Sequence, residues 1–164
     1  KIEDLFSGRG LTRAIHTESD ADGMRQLMTA MSDTPTGLLF ANLVDFDTVY
    51  GHRNDAVGYA RNLDAFDRRL AALLPQMTAE DVLVITADHG NDPTTVSTDH
   101  SREYVPLLVY GEGVAGGALL GTRRTFADVG QTLAEALTVE RLAHGTSFLD
   151  ALGTAGESPS GVGA

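Results

Sequence analysis

Val82-Leu83-Val84-Ile85-Thr86-Ala87-Asp88-His89-Gly90-Asn91-Asp92 is the stretch on which the fold reading turns. Its apolar run, Val82 to Ile85, reads as a buried strand, and an adjacent carboxylate and imidazole stand where that strand ends. Continuous apolar runs belong to strands covered on both faces. In open α/β sheets, ligands bind outside the carboxyl ends of the strands. Asp and His are also suitable donors for divalent metals. The doublet alone proves little, because short motifs recur by chance.

Working outward, Leu38–Val44 is a second nearly continuous apolar run, and Val105–Tyr110 is a third strand candidate. Pro106 gives that third strand an edge or entry position. Ser19 with Asp22 resembles a capping box, with Asp in place of Glu or Gln. Met24, Leu27, Met28 and Met31 then recur at helical spacing, as core filler. Asp33–Gly37 ends that helix. The next helix carries Val57, Ala60, Leu63, Phe66, Leu70 and Leu73 on one stripe, and Pro75 closes it. Thr125 and Asp128 form another capping-box pattern ahead of Val129, Leu133 and Leu137. Lys1–Phe6 reads as a strand or loop entry, Ser7–Gly10 as a turn, and Phe148–Leu152 as a last short helix. This alternation predicts an α/β fold with a mainly parallel sheet flanked by helices. Residues 1–152 form the expected domain; 153–164, rich in Gly, Ser, Pro and Ala, read as a disordered tail.

The 164 residues suffice for one domain with a sizeable core, and 42% hydrophobic residues place the chain among globular proteins. A net charge of −11 without a basic patch argues against nucleic acid as a partner. Metal cations would still let an acidic protein bind phosphate esters. No apolar run is long enough to span a bilayer, and Lys1–Asp4 lacks the pattern of a signal peptide. The absence of cysteine excludes disulfides and thiolate metal sites and fits a cytoplasmic location. Opening at Lys1 in an amphipathic segment is what a fragment or processed chain would show.

Three loops hold the candidate ligands: Asp47 and His52 in the first, Asp88 and His89 in the second, His100 in the third. Asp47 and His52 lie five apart, which excludes an i,i+4 helix pair; Gly51 would let the backbone fold back so that both reach one metal. Asp45, Asp55 and Asp99 have the plainer reading of turn formers or caps, and His16 and His144 lack an acidic partner at a strand end. Three of the five histidines, however, fall in loops beside apolar runs, each with a carboxylate close by. Two oxygen and three nitrogen donors approach the ligand set of a two-metal site. Such sites hold metals about 3.5–4 Å apart and clamp both oxygens of an in-line displacement at phosphorus.

Three motifs taken together resemble the phosphopentomutase family of the alkaline phosphatase superfamily. They are Val44-Asp45-Phe46-Asp47 with Gly51-His52-Arg53, Thr86-Ala87-Asp88-His89-Gly90 through Asp92-Pro93-Thr94-Thr95, and Thr98-Asp99-His100 through Arg102-Glu103-Tyr104-Val105-Pro106. The resemblance covers residues 1 to about 152 and implies the C-terminal part of an alkaline-phosphatase-like core, incomplete because the N-terminal strand and cap domain are absent. It implies that Asp88 and His89 bind one manganese ion and that Asp47, His52 and His100 bind the other. The implied reaction interconverts ribose or 2-deoxyribose 1-phosphate and 5-phosphate through a phosphothreonine enzyme and a 1,5-bisphosphate. The nucleophilic threonine would lie upstream of Lys1, so the chain alone is expected to be inactive. Thr94, Thr95 and Thr98 belong to the ligand loop instead and read as turn hydrogen-bonders. Cofactor-independent phosphoglycerate mutase shares Asp88-His89-Gly90-Asn91 but not Gly51-His52-Arg53 or the Arg102-Glu103 pair. A phosphatase of the superfamily and a non-catalytic metal-binding fragment are the other readings.

Overall fold

The computed structural model describes residues 1–153; the expected tail, apart from Gly153, lies outside the described residues. The chain divides into two compact units. One comprises Lys1–Gln76 and His89–Val105, the other Met77–Asp88 and the chain from Pro106.

In the first unit, the opening segment is a single helical turn, α1 (Ile2–Leu5), where a strand or loop entry was expected. Helix α2 (Asp20–Asp33) begins at Ser19, whose hydroxyl accepts the Asp22 amide at 3.2 Å. The return bond of the capping box is displaced by one residue. Asp22 is one methylene shorter than Glu, and its carboxylate accepts from the Glu18 amide at 3.2 Å. Met24 is buried, while Leu27, Met28 and Met31 are half-buried. Helix α3 (Ala56–Leu73) starts at Asp55, which accepts from the Gly58 amide at 2.8 Å, and passes into a 3₁₀ turn, Leu74–Gln76, around Pro75.

The buried face of α3 departs from the expected stripe. Val57 and Leu63 are 61% and 50% exposed, whereas Gly58, Asn62 and Leu73 are buried. Small and polar residues on the inner face defeat a reading based on hydrophobic periodicity. Asn62 is buried with its amide NH2 donating to the Asp20 carboxylate at 2.7 Å, as a buried polar group requires. Burial raises the Asp20 pKa above the ordinary carboxylate range, against the opposing effect of the Asn62 hydrogen bond.

Leu38–Val44 does not form a strand among the described residues, and Leu38 and Phe40 are exposed. An apolar run supplies side chains for a sheet but not the backbone partner that defines a strand.

The second unit holds the sheet. Strands β1 (Leu83–Thr86) and β2 (Leu107–Tyr110) pair antiparallel, with Leu83 opposite Tyr110 and Thr86 opposite Leu107. The expected mainly parallel sheet is therefore not what the described residues form. Apolar content signals burial, but strand direction depends on the connection. A parallel pair needs a crossover, usually helical, and no helix lies between β1 and β2.

Helix α4 (Ala127–Ala136) and the short α5 (Leu149–Leu152) complete this unit around Ala134, Phe148 and Leu152. The expected α4 stripe, Val129, Leu133 and Leu137, is not its most buried face; Asp128, Gln131, Thr132 and Ala134 are. Each of the three polar side chains fastens the segment that follows the helix. Asp128 binds Arg123 Nε at 2.9 Å and accepts the Thr146 amide at 2.9 Å. Gln131 accepts the Leu142 amide, and Thr132 accepts that of Phe148. Thr125 accepts the Ala127 amide at 3.2 Å, but Asp128 faces inward rather than closing a capping box. No helix of the described residues is long and apolar enough to cross a membrane.

Candidate metal centre

The first-loop candidates, Asp47 and His52, sit on an uncommon piece of backbone. Residues Phe46–Tyr50 form a π-helical turn, followed at once by a 3₁₀ turn, Gly51–Arg53. The π turn closes with i→i+5 hydrogen bonds, the Gly51 amide reaching the Phe46 carbonyl. The five-residue separation of Asp47 and His52, unsuited to an α-helix, thus brings both side chains to one place. Phe46 anchors the turn to α3 by edge-to-face contacts with Tyr59 and Phe66, at centroid distances of 5.2 and 6.4 Å. Burial raises the Tyr59 pKa, and the nearby Asp47 charge adds to the effect.

The segment after β1 folds back on itself within the first unit. A bridge pairs Gly90 with Ser101, and the Ser101 hydroxyl accepts the Asp92 amide at 2.7 Å. Glycine is required at this bridge, since a Cβ at Gly90 would lie 2.7 Å from the Ser101 carbonyl oxygen. His89 and His100 immediately precede the paired residues, and their rings stack at 3.7 Å. The Thr94 hydroxyl and amide both donate to Asp92, holding its pKa below the ordinary range. Thr95 is likewise engaged in the loop, with Asp92 and Ser97 carbonyls.

Around Asp47 the donors converge. Its Oδ1 lies 3.4 Å from His52 Nε2 and 3.3 Å from His100 Nε2. Asp47, His89 and His100 each offer a ligand atom, all within 4.8 Å of one another. His52 is oriented by its other nitrogen, Nδ1, which lies within hydrogen-bonding distance of the Thr98 carbonyl. A ligating histidine commonly engages a backbone carbonyl through its other ring nitrogen, and the Nδ1–Thr98 contact leaves Nε2 as the atom turned toward the Asp47 side. Four of the five predicted residues, Asp47, His52, His89 and His100, are thus gathered in the first unit. Asp88 follows β1 directly and belongs to the second unit.

Asn91, given no role by the sequence, and the Thr98 carbonyl, in a residue expected only to hydrogen-bond within its turn, add supports to the cluster. The Asn91 amide donates to Asp47 Oδ1 at 2.6 Å, and the Thr98 carbonyl fixes His52. Asn91 stood inside the motif, but its role depends on a contact between distant loops. Gly51 serves differently from expectation. Its φ of −59° is open to any residue, but a Cβ there would overlap the Asn91 side chain.

The Asp47 carboxylate and the imidazole nitrogens gathered around it are the donor types that hold a divalent cation, and the 3.3–3.4 Å spacings to His52 and His100 exceed the about 2.7–2.9 Å of a charge-assisted hydrogen bond.

A sequence model of the metalloenzyme superfamily matches residues 3–141. The chain belongs to that superfamily. It is 54% identical to a phosphopentomutase of Clostridium novyi over 91% of its own length and 38% of the relative's. It is 52% identical to a phosphopentomutase of Symbiobacterium thermophilum, over 92% of this chain and 38% of that one. For the phosphopentomutase of Acetivibrio thermocellus the identity is 53%, over 93% and 39%. The chain therefore spans under two fifths of the length of these curated relatives.

Proposed function

We propose that this chain is the C-terminal metal-binding part of a cytoplasmic phosphopentomutase that interconverts ribose or 2-deoxyribose 1-phosphate and 5-phosphate. The observation that carries the reading is the convergence of His52 and His100 on Asp47 at 3.3–3.4 Å, within a chain about half identical to phosphopentomutases. Two divalent ions, taken as manganese, would be held by the five predicted residues, Asp47, His52, Asp88, His89 and His100. The carboxylates suit manganese, the imidazoles would equally accept zinc or iron, and the choice of manganese follows the resemblance to phosphopentomutases. Bound metal would stabilise negative charge on the transferring phosphoryl oxygens.

The residues of this chain do the positioning. Asp47 supplies a carboxylate oxygen fixed by Asn91, His52 presents Nε2 because Thr98 engages Nδ1, and the Gly90–Ser101 bridge places His89 beside His100. The phosphoryl-accepting threonine and the residues that grip the sugar are proposed to lie in the part of the mutase outside this span.

Manganese titration followed by calorimetry tests the site, and ³¹P NMR of ribose 1-phosphate conversion tests the activity. The chain should bind Mn²⁺ and turn over no substrate alone, while the whole mutase interconverts the two esters. In that whole protein His100→Ala should weaken one metal site and leave the other largely filled. Equal loss of both ions would contradict the ligand grouping. Hydrolysis to free phosphate would favour a phosphatase, and conversion of phosphoglycerates would favour the other mutase.

A further inference from the structure

The metal loop is held from behind by a carboxylate outside all the ligand motifs. Asp20, the first residue of α2, is 3% exposed and makes hydrogen bonds in three directions. Its Oδ1 accepts the Asp45 amide at 2.9 Å, while its own amide donates to Asp45 Oδ2 at 2.8 Å. Its Oδ2 accepts the buried Asn62 amide of α3 at 2.7 Å.

The two Asp residues form a reciprocal pair like a capping box, but between segments distant in sequence. Asp45 is the residue from which the π turn springs, two positions before Asp47. Locking the Asp45 backbone fixes where the turn begins and hence where the Asp47 carboxylate is delivered. Asn62 ties the same carboxylate to α3, on which Phe46 also packs. One buried side chain therefore joins α2, the metal loop and α3 while touching no ligand itself.

We propose that Asp20 is a positioning residue for the metal centre, setting the register of the Asp47 loop through the Asp45 backbone. This rests on the metal reading of Asp47. The requirement is for an acceptor at the carboxylate position, so the isosteric amide should serve where a truncated side chain does not.

Hydrogen exchange and Mn²⁺ titration of the chain test this together. Asp20→Ala should speed amide exchange across Asp45–Arg53 at least roughly 10-fold and leave Ala127–Ala136 at wild-type rates. Mn²⁺ affinity should fall about 10- to 100-fold, as for other residues that orient metal ligands. Asp20→Asn, whose oxygen accepts the Asp45 amide and whose NH2 donates to the Asn62 oxygen once the Asn62 amide flips, should restore most of both. Should the alanine variant fail to fold, Asp20→Ser takes its place, since serine favours a helix start but its hydroxyl ends one bond short of the carboxylate oxygens. Unchanged loop exchange and affinity in the truncated variants would overturn the proposal, as would acceleration spread equally over α4. A wild-type chain that binds no Mn²⁺ would instead refute the metal reading, and the exchange pattern would still decide whether Asp20 sets the loop.

Discussion

Gly51 shows how a single residue acts on the centre through space rather than flexibility. With φ at −59° it has no special backbone need, yet a methyl group there would meet Asn91, the partner of Asp47 Oδ1. Gly51→Ala should therefore weaken Mn²⁺ binding about 10-fold by displacing Asn91, with helical circular dichroism unchanged. Calorimetric titration measures the effect, and wild-type affinity would show that the Asn91 contact does not support the site. The closeness of Asp47, His52, His89 and His100 was legible in the sequence as far as Asp and His beside apolar runs single themselves out. Asn91, Asp20 and the Thr98 carbonyl were not, because each acts across a contact between separate segments.

At the scale of elements, helices α2 and α3 were legible from Ser19, Asp55, Pro75 and their apolar periodicity. The inner faces of α3 and α4 were less so. Asn62 on α3 and Asp128, Gln131 and Thr132 on α4 are buried because each meets a hydrogen-bonding partner, which hydrophobic spacing does not encode. Asp128 is the strongest case, with Arg123 and the Thr146 amide both bound to a buried carboxylate. Asp128→Ala should cost about 3 kcal/mol of stability, the low end for breaking a buried ion pair, because Arg123 keeps some exposure. Urea unfolding would measure it; a loss below about 1 kcal/mol would place the pair with surface ion pairs. The π turn was also hidden, since the Asp47–His52 spacing excluded an α-helix without specifying its replacement.

Across the whole molecule, the apolar runs were read as strands of a parallel sheet, but among the described residues β1 and β2 pair only with each other. Leu108 and Tyr110 stand on one face of β2, 59% and 55% exposed, and Val82 beside β1 is 54% exposed. Exposed strands with apolar faces invite pairing between copies. The isolated chain should self-associate as concentration rises, and Leu108→Lys should shift it toward monomer. Light scattering coupled to size exclusion would show this; a wild-type monomer at all concentrations would contradict it.

The sequence by itself determined which Asp and His residues stand beside the apolar runs, the two longest helices and membership of the metalloenzyme superfamily. These properties are carried by residue type, by caps and periodicity a few positions apart, and by motif order along the chain. Only the tertiary structure decided that His52 and His100 meet on one oxygen of Asp47, that Asn91 fixes Asp47 and the Thr98 carbonyl fixes His52, and that β1 runs antiparallel to β2. Those outcomes depend on how distant segments pack and where backbone hydrogen bonds find partners, which no local pattern specifies.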